Sequence, residues 1–276
     1  MAETVAEELS GAAELHGRRA TVLAVVNQKG GVGKSTTAVN LSACLAEAGA
    51  QVLLIDFDPQ GNATSGVGVE KAGRTSCVYN ALSDGVPLLG LVEKTKVERL
   101  DAVPATLQLA GAEIELVAAL SREQKLKKAI SPARTAYDFI IIDCPPSLGL
   151  LTVNALTATD EVVVPVQCEY YALEGLSKLL ESIRLVKTNL NPDLRIAGVL
   201  MTMYDARTRL GQQVVDEVRS FFRELVYEAV VPRTVRLSEA PSHGLPISKY
   251  DPKSKGTVAY RKLAREVMAR AKKRIG

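Results

Sequence analysis

Lys29-Gly30-Gly31-Val32-Gly33-Lys34-Ser35-Thr36 follows the apolar run Thr21–Val26 and precedes a helical pattern that starts near Thr37. A glycine-rich turn between a strand and a helix can wrap its backbone N–H groups around phosphate oxygens, with the helix N-terminus behind them. In that reading Lys34 reaches the terminal phosphates and the Ser35 hydroxyl sits on Mg²⁺. The stretch departs from the usual phosphate-loop pattern in one place. A glycine is expected five residues before Gly33, and Gln28 stands there, with an additional lysine, Lys29, beside it. Two lysines therefore need roles.

Outward from this loop, the helix runs through Ala38, Leu41, Leu45 and Ala48 and stops at Gly49, and Gln51–Phe57 follows as a second strand. Val52-Leu53-Leu54-Ile55 is apolar without alternation, as expected of a parallel strand covered on both faces. Such strands present functional groups at their C-terminal ends. There the chain reads Asp56-Phe57-Asp58-Pro59-Gln60-Gly61-Asn62. Period two puts Asp56 and Asp58 on one side before Pro59 and Gly61 break the strand, and a carboxylate here can position water beside a terminal phosphate. A third apolar run, Tyr137–Ile142, ends in Asp143, where an acid can support the Mg²⁺ shell next to Ser35.

The remaining pattern alternates in the same way. Arg99–Ala105 reads as a short strand, and Leu107–Leu120 and Arg122–Ile130 as helices. After a helix through Leu150, Val153 and Leu156 come strand Glu161–Gln167, helix Leu173–Asn189, strand Arg195–Met203, helix Gln212–Phe222 and strand Val226–Val231. Residues 66–100 read as loops and short helices. Two arginine-bearing segments read as loops: Tyr204-Asp205-Ala206-Arg207-Thr208-Arg209, and Pro232 through Gly244 with Arg233 and Arg236. His243 has no nucleophile motif for company and is read as structural. The final segment, Gly256–Ile275, has apolar residues at helical spacing and a basic outer face, and is expected to dock on the core. Alternation of this kind predicts a single doubly wound α/β domain over residues 21–276, with a mostly parallel twisted sheet flanked by helices, like the P-loop NTPases. Met1–Ala20, rich in Ala and Glu, is expected to be a flexible arm.

Of 276 residues, 47% are hydrophobic, enough for a substantial core. The net charge of +3 is unevenly spread, because residues 251–276 carry nine Lys/Arg against two acids. That imbalance favours an anionic partner, nucleic acid or lipid. The four cysteines form no CxxC pair, so neither a zinc site nor a disulfide framework is indicated. No run reaches the length of a membrane span and the N-terminus lacks a secretory pattern, so a cytoplasmic protein is expected.

Taken together, Lys29-Gly-Gly-Val-Gly-Lys34-Ser-Thr, Asp56-Phe-Asp58-Pro-Gln-Gly-Asn, Ile142-Asp143-Cys-Pro-Pro and Val231-Pro-Arg-Thr-Val-Arg-Leu-Ser-Glu-Ala-Pro-Ser-His-Gly244 closely resemble the ParA/Soj chromosome- and plasmid-partitioning ATPases. The resemblance runs from about residue 21 to the C-terminus. It implies weak ATPase activity with ATP and Mg²⁺: Gly30, Gly31, Val32, Gly33, Lys34, Ser35 and Thr36 hold the nucleotide, Pro232 lies on its adenine side, and Ser35, Asp58 and Asp143 belong to the metal and water end. Asp58, Lys29 and Lys34 would be catalytic, with Lys29 crossing an ATP-sandwich homodimer to touch the partner's nucleotide. Gly30 would leave room for the close approach of two phosphate loops. The resemblance further implies non-specific duplex DNA binding through Arg207 and Arg236, a nucleoid-associated location, and hydrolysis stimulated by a ParB/Spo0J-type centromere-binding protein. The alternative is a MinD-like membrane-recruited positioning ATPase, which requires a free amphipathic C-terminal helix; membrane attachment is not expected. A nitrogenase-reductase-like iron–sulfur donor requires an exposed cysteine pair, whereas Cys144 directly follows Asp143 and Cys44 lies in a helix core pattern.

Overall fold

The apolar runs become strands of one sheet, and the segments between them become its cover. The computed structural model describes residues 19–169 and 176–275. The expected arm at Met1–Ala20 therefore lies outside the described residues except for its last two, as does the start of the helix expected at Leu173. The first half of the chain builds β1 (Thr21–Val25), α1 (Lys34–Glu47), β2 (Val52–Asp56), α2 (Asn62–Gly66), α3 (Val78–Ser83), β3 (Glu93–Lys94), β4 (Leu100–Val103), α4 (Leu109–Glu115), α5 (Lys125–Ile130) and β5 (Phe139–Asp143). The second half builds α6 (Leu150–Ala158), β6 (Glu161–Gln167), α7 (Leu176–Asn189), β7 (Arg195–Tyr204), α8 (Arg209–Phe222), β8 (Val226–Pro232), α9 (Val235–Glu239), α10 (Ile247–Tyr250) and α11 (Lys255–Ile275).

The eight strands lie in the order β3-β4-β2-β5-β1-β6-β7-β8. Every neighbouring pair is parallel except β3 with β4, a two-residue antiparallel edge that the sequence reading left within a loop. From β1 the chain crosses to β2 on one side, and it later adds β6 on the other. The C-terminal end of β1 is thus a switch point, where open α/β sheets form their ligand crevice.

Alternate residues of β1 enter two separate cores. Val22 and Ala24 pack with Leu109, Leu126, Leu151 and Leu179 from α4 to α7, whereas Leu23 and Val25 pack with Leu41 and Leu45 of α1 and Leu263 and Val267 of α11. Both faces of β1, β2 and β5 are covered, which is why these strands read as unbroken apolar runs. The C-terminal helix docks as expected: Tyr260, Leu263, Val267 and Ala271 are all at most 3% exposed.

Three local outcomes differ from the periodicity. Helix α1 begins at Lys34 rather than near Thr37, because Gly33, at φ 89°, turns the chain so that Lys34 enters the first turn. The two helices expected across 107–130 each break, with 3-10 turns at Leu116–Ala118 and Arg122–Gln124 beside α4 and α5. The segment expected as a loop from Pro232 to Gly244 folds into α9, with the Thr234 hydroxyl accepting from Arg236 N–H, followed by the 3-10 turn Ala240–His243. Five residues are too few to display a helical period.

Candidate functional site

Gly30, Gly31, Gly33, Lys34, Ser35 and Thr36 line one cavity of about 620 Å³ at the C-terminal end of β1, together with Asp58 and Pro232. Val32, only 1% exposed, is the anchor behind that surface. A second hollow of about 730 Å³, between α8, β8 and α11, opens near Arg219 and Val226 and holds none of the site residues expected from sequence.

Neighbouring strands pin the phosphate loop from behind. Just after β1, the Asn27 amide donates to the Pro165 carbonyl of β6 at 2.7 Å, and its oxygen accepts from Lys29 N–H at 3.0 Å. From β7, the Thr202 hydroxyl donates to the Val32 carbonyl at 2.9 Å. Helix α1 is tied to the C-terminal elements by Asn40, which accepts from Ile247 N–H at 2.7 Å, and by a 3.3 Å contact between the Thr37 and Tyr260 hydroxyls. Each bond contributes only about 1 kcal/mol net, but together they fix the position of the loop and of the helix behind it. No sequence motif marks Asn27, Thr202 or Tyr260 as part of this site. Thr202 was open to the strand-end argument that singled out Asp56 and Asp143, whereas Tyr260 reads only as a core position of its helix.

The charged groups under the loop oppose one another. Lys34 is 6% exposed and donates to the Lys29 carbonyl at 3.1 Å. Burial pulls its ammonium below the ordinary lysine value, and the nearby Asp143 and Asp58 carboxylates pull it back up. Asp143 is fully buried, and neither of its oxygens has a closed hydrogen bond. Burial first, and then the Asp56 carboxylate, push its carboxyl well above the usual range; the nearby Ser35 hydroxyl opposes this only in part. An unpartnered buried carboxylate is costly unless something completes it. Among the described residues no three or more His, Cys, Asp or Glu side chains converge as a metal cage. Mg²⁺ does not need one, since it takes one or two carboxylates and completes its shell with water and phosphate oxygens. The set Ser35, Asp143 and Asp58 fits that ion.

The two acids after β2 separate. Asp56 ends the strand and accepts from Thr64 N–H and the Thr64 hydroxyl, both at 2.6 Å, and from Asp58 N–H at 3.2 Å. Burial pushes its carboxyl up to about 6, against the pull of those hydrogen bonds. It braces the loop, while Asp58 lines the cavity and its carboxylate accepts from Gln60 N–H at 2.9 Å. Period two does not extend past the strand, so the equivalence expected of the pair is lost.

Lys29, Arg207 and Arg236 lie outside the cavity wall. The Lys29 ammonium meets Glu169 at 3.3 Å, with both side chains about half exposed. Arg207, 89% exposed, forms a two-pronged contact with Asp205 at 2.9 and 2.7 Å. Arg236 meets Glu239 at 3.1 Å and Asp251 at 3.7 Å. His243 stacks on Tyr250 with ring centroids 4.9 Å apart, in keeping with a structural role. All four cysteines are buried, and burial pushes the Cys144 thiol well up and Cys168 to about 11, which disfavours the thiolate that cluster ligation needs.

Comparison with known proteins places these features in context. A family model described as an AAA domain matches residues 20–196. The chain is 63% identical over 248 residues to the sporulation initiation inhibitor protein Soj of Bacillus subtilis, covering 90% of this chain and 98% of that one. It is 55% identical over 249 residues to the chromosome partitioning protein ParA of Myxococcus xanthus, covering 90% and 88%. Among solved structures, one from Mycobacterium smegmatis, described as cobyrinic acid a,c-diamide synthase with bound ATP analog and magnesium, superposes with a TM-score of 0.81 at 39% identity and covers 92% of this chain and 96% of that one.

Proposed function

This chain belongs to the ParA/Soj family of chromosome-partitioning ATPases, and from that premise we propose that it is an ATP-operated switch that pairs with a second copy of itself and then holds duplex DNA. ATP and Mg²⁺ are its ligands, as the M. smegmatis relative with bound ATP analog and magnesium supports. The observation that carries the reading is the fully buried Asp143 carboxyl, with no hydrogen bond closed to full geometry and with Lys34 and Ser35 as its polar neighbours behind the glycine loop. Mg²⁺ there supplies charge neutralisation at the terminal phosphates.

Each residue then has one task. Lys34 and the loop N–H groups hold the phosphate end, and Ser35 and Asp143 hold the metal shell. Asp58 orients the attacking water, while Pro232 and its neighbours form the base side. Little covalent chemistry is asked of the protein in phosphoryl transfer, so an incompletely assembled site hydrolyses slowly and leaves scope for a stimulating partner. A ParB/Spo0J-type protein is that partner in this reading.

Pairing is supported at Gly30. A Cβ there would meet nothing within 4 Å, and the residue has no left-handed φ, so nothing within the isolated chain requires glycine. A second phosphate loop approaching this surface would. Lys29, on the exposed rim, is free to exchange the Glu169 carboxylate for a phosphate across the pair, because an exposed ion pair of this kind contributes only about 0–1 kcal/mol. Pairing also doubles the phosphate contacts available to Arg207 and Arg236, which raises DNA affinity and steepens its salt dependence. A MinD-like membrane role needs a free C-terminal helix, and the apolar face of α11 is already buried against α1 and β8. The test is duplex DNA binding by an Asp58→Ala protein held in the ATP state. Tighter binding than in the ADP state, lost in Arg236→Glu, supports the proposal, and equal binding in both states overturns it.

A further inference from the structure

Two walls of the cavity meet at a backbone contact between glycines outside the nucleotide surface. Gly68 lies in the turn after α2, and Gly244 closes the 3-10 turn after α9; both hold left-handed φ, 77° and 62°. A Cβ on Gly68 would stand 2.7 Å from the Gly244 carbonyl oxygen. One on Gly244 would stand 2.9 Å from Gly68 Cα and 3.6 Å from the Ser65 carbonyl oxygen. The obstructing atoms are backbone, so no side chain can swing aside to make room. Both the dihedrals and the close approach call for glycine.

The two sides lead to different chemistry. On the Gly68 side, one short helix, α2, separates the contact from Asp58 and Gln60, and Thr64 within it is locked to Asp56 and receives Ala105 N–H at 3.0 Å. On the Gly244 side, the same turn and α9 give the base-side wall its Leu237 and Pro241, while Arg236 points outward to Glu239 and Asp251. The segment that carries Asp58 and the segment that carries Arg236 thus meet backbone to backbone, glycine against glycine.

We infer that the Gly68–Gly244 seam is a positioning contact that sets the Asp58 loop against the Arg236 segment, so that a phosphate backbone gripping Arg236 alters how Asp58 stands over the phosphate end. The inference rests on the proposed role of Arg236 at DNA. A polyanion draws Arg236 away from Glu239 and Asp251, and α9 shifts with it. Packed backbone does not absorb such a shift, so it passes across the seam into α2. Gly68 and Gly244 act through Asp58 and touch no substrate.

Hydrogen exchange of the ATP-bound Asp58→Ala protein, with and without duplex DNA, tests this without altering either glycine. Slower exchange at residues 233–244 and also at 60–68 is expected. DNA binding with protection at 233–244 alone overturns the seam and leaves the DNA reading standing, whereas absence of DNA binding removes both. In a second arm, Gly68→Ala and Gly244→Ala are each expected to lower kcat about tenfold while KM for ATP stays within about threefold. Wild-type kcat in both folded variants contradicts the inference.

Discussion

The phosphate loop and the arginine surface are both cationic, yet the fold treats them differently. Asn27 and Thr202 fasten the loop to β6 and β7, Asn40 and Tyr260 fasten the helix behind it to the C-terminal elements, and the buried Asp143 carboxyl has the Ser35 hydroxyl and Lys34 as opposing polar neighbours. At the surface, Arg207 and Arg236 are already paired with acids of their own chain, at 2.7 and 3.1 Å. The loop takes its shape from hydrogen bonds to other parts of its own chain, whereas any anion that binds at the surface would have to displace a carboxylate already there. Preorganised polarity makes a site strong, and exchangeable pairs make one adjustable. The proposed switch would need both: firm hold on the nucleotide and reversible hold on a partner.

The largest expected effect tests the preorganised side. Lys34→Ala removes the charge that the whole loop is built around, and steady-state hydrolysis should fall about 10²–10³-fold, the scale for losing one oriented electrostatic group. A fall of only a few-fold would mean that the loop does not hold the transferring phosphate. Next, on the exchangeable side, Arg236→Ala should weaken ATP-state DNA binding about tenfold and reduce the log–log salt slope by about two, one phosphate contact from each copy of a pair. An unchanged slope would remove Arg236 from the DNA surface.

Thr202→Val separates the two regions more finely. It keeps the shape of the side chain but removes the bond to the Val32 carbonyl, so ATP affinity should drop about fivefold, or about 1 kcal/mol, by calorimetry. DNA affinity at saturating ATP should not move. The smallest effect expected is a gain: Asp205→Asn neutralises the competitor of Arg207, and DNA binding should tighten about two- to threefold in a filter or anisotropy assay. Weaker binding would mean that Asp205 is needed to aim Arg207 rather than to restrain it.

The doubly wound sheet was legible because its central strands are buried on both faces and therefore write themselves as apolar runs; Glu161–Gln167 is bounded identically in sequence and structure. The places of the two candidate acids were legible from the strand ends: Asp143 closes β5, and Asp58 lies two residues past β2 in the cavity wall. The site was not legible where contacts depend on tertiary approach. Tyr260 lies 223 positions from Thr37, and no local pattern announces that they meet. Nor does spacing tell Asp56 from Asp58, since only the Thr64 N–H and hydroxyl decide which acid braces the loop and which faces the cavity. The α9 helix was hidden for a different reason, being shorter than two turns and flanked by proline-bearing turns.

The proposed pairing turns on Lys29, the lysine that a simple phosphate loop does not need. Its direct test is the solution mass of the Asp58→Ala protein by sedimentation, in ATP with Mg²⁺ and in ADP, with and without an added Lys29→Ala change. Twice the mass of one chain is expected in ATP alone, and a single-chain mass whenever Lys29 is replaced, with ATP still bound. A single-chain mass in every condition, or a pair that forms regardless of nucleotide and of Lys29, would contradict it.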